Sequence, residues 1–492
     1  MRKYVLTAAS LLLLLPLESG AQFKEKEFVD PGGSNRLVDK TGLSQDRTLV
    51  LTLEDALKIA LSENVSVKVA DREIERSQYA KRGTYASLFP QIDGSASYQR
   101  TIKKQVMYMD FDMGGLSGMA AGGDEQTAAA ELPGAGSGSA MKDGFEVGRW
   151  NTFSAGVSAS MPLINAQLWK NLQIAGQDVE LAVEKARSSR LSMITQVKQA
   201  FYTVLLAKEA VNVYQEVYDN ALESFTQTER RFNVQKASEL DYNRAKATVQ
   251  NAIPQVYESA NSVALGLWQL KAVLGMDLDT DIDVAGSLQD WADQMVFDVV
   301  PGDEVSLDDN STMRQLAIQA EELANAVKIQ QYAALPSLAL SFNYSINAMT
   351  NDFNFSEYRW SPYSFVGLSL QIPILAGGRR YHAVRQAQVQ RDELNMQLRD
   401  TERQLRIAIR QYLSQMETKL KSYQSAQVAE QTARKAYEIA LKSYNVGRST
   451  ITDLNSAQLA LTQAELGISQ AIYDFVLAKA HLEETLGHDF TE

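Results

Sequence analysis

Two stretches without proline constrain this chain more than any other feature, because they predict helices far longer than those of most globular domains. Residues 163–232 contain no proline and one glycine, and residues 379–444 contain neither. Apolar residues recur at spacings of three and four, which is the pattern of a coiled-coil surface. At a rise of about 1.5 Å per residue, each stretch makes a rod of roughly 100 Å. The sequence therefore predicts a mainly helical fold built on two long rods.

The two rods belong to two copies of one unit. Asn64 and Pro90 are 26 residues apart, and so are Asn310 and Pro336. The same landmarks then recur at offsets of 210 to 212 residues, namely Trp150 and Trp360, Met161-Pro162 and Ile372-Pro373, Asn233-Val234 and Asn445-Val446, and Leu274-Gly275 and Leu486-Gly487. Such constant offsets indicate a duplication. Each unit is interpreted as helix, strand, loop, strand, very long helix, tight turn and helix.

The return helices, at about 239–274 and 450–486, are only half as long as the rods. We therefore expect the leading helices, at about 53–86 and 311–333, to stack end to end on them. The predicted organisation is a signal peptide at 1–21, an N-terminal linker at 22–50, repeat 1 at 51–275, an acidic inter-repeat linker at 276–310, and repeat 2 at 311–492 with a short C-terminal tail.

Four segments alternate between apolar and polar residues: 92–98, 152–161, 338–347 and 366–372. Period two with one apolar face is typical of strands that separate water from lipid or from a core. Their length of about ten residues suits the tilted strands of a membrane barrel. The same pattern also fits an antiparallel sheet over a soluble core. Trp150 and Trp360 favour the barrel, because they open the second strand of each pair, where an aromatic girdle lies.

Four strands cannot close a barrel, since bacterial outer-membrane barrels begin at eight strands and an open edge is not tolerated in lipid. The chain must therefore oligomerise. Two copies give eight strands, and three copies give twelve.

The N-terminus predicts export. Arg2 and Lys3 precede an apolar core at 11–15, and Ser19-Gly20-Ala21 is a small-residue cleavage site, so a mature start near Gln22 is expected. The chain has no cysteine, which excludes disulfides and the lipid-carrying cysteine of a lipoprotein. A net charge of -12 argues against nucleic acid as a partner. No nucleophile with a base and no set of metal ligands is recognisable, so neither enzymatic activity nor a cofactor is predicted.

Two further segments are unusual in composition. Residues 277–309 hold eleven acidic residues and no lysine or arginine, which favours a solvated loop around the helices. Residues 101–148 are rich in glycine, alanine and methionine. This second segment is expected to be an outer loop, and a relay of thioether ligands for a soft metal is the alternative.

The order of these elements resembles that of the TolC family of outer-membrane efflux proteins, and the resemblance covers about residues 51 to 487. Four strings carry it: Leu53-Glu54-Asp55-Ala56-Leu57, Leu88-Phe89-Pro90-Gln91, Gly367-Leu368-Ser369-Leu370-Gln371-Ile372-Pro373-Ile374 and Tyr444-Asn445-Val446-Gly447. Membership implies an all-α fold with a membrane β-barrel portion, in which a homotrimer closes a twelve-stranded barrel with four strands per protomer. A long periplasmic coiled-coil barrel continues it. The implied location is the bacterial outer membrane, extending into the periplasm.

The resemblance also implies site residues. A periplasmic adaptor, which works with an inner-membrane transporter, would dock on the hairpin tips, which here are Asn233, Val234, Gln235, Asn445, Val446, Gly447 and Arg448. A periplasmic constriction would involve Asp241, Asp453 and Ser456, of which Ser456 replaces the family's second acidic residue. Gln235 replaces the family's usual glycine, so the first tip turn is expected to differ from the second.

Asp241 and Asp453 each stand three residues after a hydroxyl residue, Ser238 and Thr450. This spacing is that of a capping box, which satisfies backbone N–H groups at a helix start. A cap and a constriction can coexist on the same carboxylate.

The predicted function is the outer-membrane channel of a tripartite efflux system, a passive exit duct. A duct for type I protein secretion is an alternative with the same channel. A periplasmic coiled-coil adaptor or structural protein is an alternative of another class, which explains the helices but has no use for the strands.

Overall fold

The computed structural model describes residues 49–107, 145–295 and 306–488. The predicted signal peptide, the linker up to residue 48 and the methionine-rich part of the 101–148 loop from 108 to 144 lie outside the described residues. The helices are α1 Leu53–Glu63, α2 Val65–Ala86, α3 Ala166–Asn233, α4 Glu239–Leu274, α5 Ser311–Tyr332, α6 Arg379–Asn445 and α7 Ile451–Leu486. The strands are β1 Leu49–Leu51, β2 Gln91–Arg100, β3 Gln105–Met107, β4 Phe145–Val147, β5 Asn151–Ile164, β6 Ile282–Val284, β7 Ser337–Thr350 and β8 Ser361–Gln371.

The two rods are confirmed, since α3 has 68 residues and α6 has 67. The prediction of one leading helix over 53–86 is wrong, because the chain breaks at Asn64. This residue has an extended backbone with ψ 132° and begins α2, where its side chain accepts a hydrogen bond from the Ser66 amide at 2.7 Å. Asn64 is thus the end of α1 and the N-cap of α2.

The predicted end-to-end stacking is confirmed at both junctions. The side-chain amide of Asn64 donates to the carbonyl of Val273 in the last turn of α4, at 2.7 Å. The side-chain amide of Asn310, the residue that caps α5, donates to the carbonyl of Thr485 in the last turn of α7, at 2.6 Å. Each asparagine therefore caps one helix with its carbonyl oxygen and satisfies a terminal carbonyl of another with its NH₂ group.

Four strands form one antiparallel sheet in the order β2-β5-β7-β8. The helices follow the same order, because α2 contacts α3, α3 contacts α5, and α5 contacts α6. The register joins Ile92, Ala159, Phe342 and Val366 in one row of the apolar face. The next row, on the opposite face, joins residues 93, 158, 343 and 365. The predicted alternation of the four strands is thus confirmed as two distinct faces of one sheet.

The acidic segment is more structured than predicted. Ile282–Val284 forms β6, which pairs in parallel with β1. Leu288 and Met295 are buried in the same core as the middle of α3 and α7. The expectation of a solvated loop is therefore wrong for residues 282–295, because apolar residues interleave with the acidic ones. The Asp283 carboxylate forms an ion pair with the Lys208 ammonium at 2.6 Å.

In the ranges that the structure describes, no helix has the length and apolar character needed to cross a membrane.

Candidate functional site at the hairpin tips

The two hairpin tips have the same backbone turn. At the first tip the Gln235 amide donates to the Phe232 carbonyl at 2.9 Å, and the Lys236 amide donates to the Arg231 carbonyl at 2.7 Å. At the second tip Gly447 and Arg448 make the equivalent bonds, at 3.0 and 2.8 Å. Both patterns are of the kind that ends a helix in a Schellman motif.

The expectation of a different first turn is therefore wrong. Gln235 has φ 58°, and Gly447 has φ 77°. The bonds that close the turn fix this left-handed conformation, so the glutamine adopts it despite the steric cost to its Cβ. Gln235 is the one residue other than glycine with positive φ in the described part of the chain.

The return helices begin with hydroxyl caps, as the sequence predicts. The Thr450 hydroxyl accepts from the Asp453 amide at 3.2 Å, and the Asp453 carboxylate accepts from the Thr450 amide at 3.0 Å, so the capping box is complete. In the first hairpin the Ser238 hydroxyl accepts from the Asp241 amide at 3.0 Å and donates to the Asp241 carboxylate at 2.7 Å. The Thr450 hydroxyl also donates to the Asp453 carboxylate at 2.7 Å, so both described caps share the hydroxyl-to-carboxylate bond and only the second adds the reciprocal backbone bond.

Hydrogen bonding sets the protonation of Asp453 in the protomer. The hydroxyl and the backbone amide of Thr450 both donate to its carboxylate and lower its pKa from the usual value, with a smaller contribution from the Ser449 hydroxyl. Donors to the ionised form stabilise it. Asp453 is therefore an anion at neutral pH. Ser456 lies one turn further along α7, on the same exposed side of the helix, while Leu454 faces the interior.

Arg231 connects the two tips. Its guanidinium donates to the carbonyl of Tyr444 at 2.9 Å and to the carbonyl of Asn445, the last residues of α6. It also lies 5.6 Å from the centre of the Tyr444 ring. The Tyr444 hydroxyl in turn hydrogen-bonds the Thr228 hydroxyl in a buried position. We call Arg231, Thr228, Tyr444 and Asn445 the tip clasp.

A guanidinium suits the end of α6 for two reasons. Its planar fork presents several N–H donors, which satisfy carbonyls that have no partner within the helix. Its positive charge also lies at the negative end of the helix dipole. The sequence analysis did not identify this contact, although a basic side chain next to the tip motif was a visible signal.

The residues predicted to dock a partner are exposed. Val234 and Val446 are 61% and 69% exposed, and Asn233, Gln235, Gly447 and Arg448 are also on the surface. Asn445 is half-buried, with its carbonyl held in the tip clasp. A small core of Ala245, Tyr437, Tyr444, Ile451, Leu454 and Leu461 lies directly behind the tips. The tips therefore present two exposed valines on a packed base.

The two tryptophans predicted for a girdle lie at the same end of the sheet, directly before β5 and β8. Strand alternation, continued by one residue, places Trp360 with the apolar face and Trp150 with the polar face. The ammonium of Lys104 lies 4.8 Å from the centre of the Trp150 ring. A girdle role for these residues stays a prediction.

An aromatic cluster that the sequence analysis missed lies at this same end of the apolar face. The rings of Tyr98 and Phe153 stack at 4.8 Å, and Tyr358 approaches Phe153 at 5.5 Å. Tyr98 and Phe153 are cross-strand partners. Their alternate spacing along β2 and β5 was a signal that the analysis did not use.

Residues 56–276 and 304–488 match the family described as outer membrane efflux protein. Among curated proteins, the outer membrane protein TolC of Vibrio cholerae serotype O1 is 22% identical over 243 residues, which are 48% of this chain and 54% of that protein. The alignment thus spans about half the length of the curated relative.

Solved structures resemble nearly the whole chain. The Campylobacter jejuni CmeC outer membrane channel matches with a TM-score of 0.66 at 19% identity, over 95% of each chain. The outer membrane protein VceC of Vibrio cholerae matches with a TM-score of 0.66 at 16% identity, over 89% of this chain and 96% of that chain. The open state of the Neisseria gonorrhoeae MtrE outer membrane channel matches with a TM-score of 0.65 at 18% identity, over 92% and 94%. At these identities the likeness shows the fold.

Proposed function

Because the chain belongs to the outer membrane efflux protein family, we propose that it is the passive exit duct of an efflux system in the bacterial outer membrane. Three copies close a twelve-stranded barrel, and their helices continue the channel into the periplasm. The match confirms the resemblance inferred from the sequence, and the likeness to solved channels confirms the predicted fold.

The exposed apolar face of the sheet is the observation that carries this proposal. Val366 and Leu368 are 71% and 68% exposed, and Ile92, Leu370 and Ile372 are similarly uncovered. Contiguous apolar surface of this kind marks contact with lipid or with another chain. Because the opposite face of the same sheet is mainly polar, lipid outside and water inside is the arrangement that satisfies both sides.

The edges of the sheet support a trimer. Within the protomer, β2 and β8 each have a partner on one side only. Their outer backbone groups need partners in lipid, where water cannot supply them. Joining β8 of one copy to β2 of the next satisfies these groups, and three copies give twelve strands.

Cell fractionation and native mass spectrometry test this function together. We expect the protein in the outer-membrane fraction and a trimer in mild detergent. A protein found in the soluble periplasm, or a stable monomer as the sole species, would contradict the duct and favour a periplasmic coiled-coil protein.

At the periplasmic entrance we propose a constriction built from Asp453, with Asp241 and Ser456 beside it. In a trimer, three copies of Asp453 converge near the axis. Their negative charges attract cations, and each carboxylate raises the pKa of the other two. Since Ser456 carries no charge, we expect a weaker constriction than one with two carboxylates per protomer.

Single-channel conductance of the wild type, Asp453→Asn and Asp241→Asn tests the constriction. A ring at the axis predicts that Asp453→Asn reduces cation selectivity and block by multivalent cations. If both variants keep the conductance, selectivity and block of the wild type, Asp453 is a helix cap alone.

The exposed tips support a docking role toward a periplasmic adaptor that connects to an inner-membrane transporter. Val234 and Val446 supply apolar contacts, and Arg448 adds a positive charge to the second tip. Site-directed crosslinking from Val234 and Val446 in cells is expected to capture an adaptor. The matched control is Val183, a valine in α3 that is 48% exposed and lies far from the tips. Crosslinks from Val183 but not from the tip positions would contradict docking there.

A further inference from the structure

The polar face of the sheet is uniform except at three positions. All four strands share four hydrogen-bonded rows on this face. Thirteen of the sixteen positions in these rows are serine, asparagine, glutamine or glycine: Gln91, Ser95, Ser97, Ser154, Gly156, Ser158, Ser160, Ser341, Asn343, Ser345, Asn347, Ser361 and Gly367. The other three are Asp93, Tyr363 and Phe365.

Tyr363 and Phe365 form an aromatic pair on β8. They are 59% and 43% exposed on a face that is otherwise small and polar, and their ring centres lie 5.8 Å apart at an angle of 45°. Their cross-strand partners on β7 are Ser345 and Asn343. Among the described residues, β7 places no large side chain opposite these rings, so both rings are exposed on the polar face of the protomer.

The duplication shows that the fold does not require these rings. At the offset of 211 that matches Pro162 to Pro373, Tyr363 corresponds to Thr152 and Phe365 to Ser154. Repeat 1 builds the same strand with two hydroxyl residues, although it has an equivalent glycine, Gly156, at the position of Gly367.

Asp93 is the one charged residue in the shared rows of this face. It lies in the same row as Phe365, three strands away, or about 14 Å at the usual strand spacing. In the closed trimer β8 of one copy pairs with β2 of the next, so the aromatic pair and a carboxylate lie on neighbouring strands. The repeat-equivalent of Asp93, at the offset of 246, is Ala339.

From this placement we propose that Tyr363, Phe365 and Asp93 form a subsite in the barrel lumen for planar aromatic cations in transit. Aromatic faces attract cations and stack on other rings without a demand for hydrogen bonding. The surrounding hydroxyl and amide groups stay hydrated and hold no competing charge. The subsite defines a substrate class for the duct, and it rests on the proposed channel function.

Planar-bilayer recordings with ethidium and tetraethylammonium test the subsite. Both probes are monovalent cations, but only ethidium is aromatic. In the wild type we expect ethidium to reduce the current with a dissociation constant about fivefold to tenfold lower than that of tetraethylammonium, because ethidium stacks on the two rings in addition to the cation–π attraction that both probes share.

The variants take their residues from repeat 1 and repeat 2. Tyr363→Thr with Phe365→Ser should raise the dissociation constant of ethidium about fivefold to tenfold and that of tetraethylammonium by a smaller factor, because only ethidium loses ring stacking in addition to cation–π attraction. Asp93→Ala should raise the dissociation constants of both probes to a similar degree. The matched control is Tyr344→Thr, which removes an aromatic ring of similar exposure from the opposite, lipid-facing side of the sheet and should change neither.

The outcomes are separable. Wild-type protein that forms no channel in potassium chloride contradicts the duct itself. A normal channel in which ethidium and tetraethylammonium block equally, or in which ethidium block survives loss of both rings, overturns the subsite while the duct stands. If the double variant forms no channel, the comparison of the two probes on the wild type still decides.

Discussion

The first and second hairpins use one backbone turn with different side chains, and the differences create the contact between them. Arg231 of the first hairpin corresponds to Ser443 of the second, and Thr228 corresponds to Ala440. Only the first hairpin therefore carries the guanidinium of the tip clasp. Tyr444 of the second hairpin supplies a carbonyl that accepts from Arg231, and its hydroxyl hydrogen-bonds the Thr228 hydroxyl. Its counterpart, Phe232, has no hydroxyl.

This asymmetry shows how the two tips of a duplicated unit can be held together. The difference at position 231 gives the first hairpin a guanidinium, which donates to the last carbonyls of α6 in the second hairpin. The second hairpin is thus held by the first. Asp453 and Ser456 of the proposed constriction lie on the second hairpin, and Asp241 lies on the first.

The largest effect on stability is expected at the two helix junctions, and it should differ between them. Gly275 and Gly487 both have φ 73°, but a Cβ at Gly487 would clash with the Asp309 carbonyl, whereas one at Gly275 would lie 3.0 Å from the Glu63 carbonyl. Gly487→Ala should therefore cost about 3 kcal/mol or more, since the backbone must move. Gly275→Ala should cost about 1–2 kcal/mol, the price of left-handed backbone.

Thermal denaturation of the purified protein in detergent measures this difference. The midpoint should fall further for Gly487→Ala than for Gly275→Ala. Equal shifts would mean that the second junction relaxes as easily as the first, and the two repeats would then be equivalent in packing at this point.

The next effect concerns the tip clasp. Arg231→Ser places at the first tip the residue that the second tip already has. It removes two charge-assisted hydrogen bonds to the end of α6, and a loss of about 2 kcal/mol is expected at this partly buried position. If the clasp holds the second hairpin closed, the variant should also conduct more current.

Single-channel conductance and thermal denaturation check both parts. Arg230→Ser is the matched control, because Arg230 is the exposed neighbour of Arg231 on the same helix. A similar rise in conductance in both variants would trace the effect to lost positive charge and not to the clasp.

Much of the fold follows from the sequence because its signals are local and repeated. The prediction of a helix at about 239–274 agrees with the bounds of α4, since a hydroxyl cap at Ser238 and a glycine at Gly275 mark both ends. The break at Asn64 was missed because apolar periodicity continues across it, and only the role of asparagine as a cap distinguishes it. The structured part of the acidic segment was not predicted, because the prediction relied on the number of acidic residues and overlooked the alternating apolar residues Ile282 and Val284.

The site was less predictable than the fold. The caps at Asp241 and Asp453 were predicted, since a capping box spans only four residues. The tip clasp joins residues more than 200 positions apart, and no local pattern pairs Arg231 with Tyr444. The first tip turn was predicted wrongly, because Gln235 stands where a left-handed backbone favours glycine. The hydrogen bonds that close the turn nevertheless give it the same backbone as the second tip turn.

A smaller effect is expected from exchanging the residues at the left-handed position. Gln235→Gly should stabilise the first tip by about 1 kcal/mol, and Gly447→Gln should destabilise the second tip by a similar amount. The reason is the steric conflict of Cβ with the backbone, which only the glutamine has. Thermal denaturation of each variant and of the double exchange measures it. If the double exchange matches the wild type, the two turns are interchangeable; a net loss would show that the second tip is the less tolerant one.

The smallest effect, in the pH dependence of the cap at Asp453, bears on the constriction. Hydrogen bonds from Thr450 lower the pKa of Asp453 in the protomer, so its folded value lies below the unfolded value of about 3.9. The stabilisation from this cap is then fully present above the unfolded value and is lost as the pH falls through the folded one. A ring of three carboxylates works in the opposite direction, because like charges raise each other's pKa.

Cation selectivity of the channel between pH 3 and pH 7, compared with that of Asp453→Asn, reveals whether the cap or the ring has the larger effect on the pKa of Asp453. If selectivity is lost only below about pH 4, the cap dominates in the assembled tip. If it is lost well above that pH in the wild type and is already absent in the variant, repulsion across the axis outweighs the two bonds from Thr450. Asp241→Asn provides the comparison between repeats: if Asp453 alone forms the ring at the axis, this variant should keep the wild-type pH profile of selectivity. A profile that changes equally in both variants would place the two carboxylates in one shared ring and remove the distinction between the hairpins at the entrance.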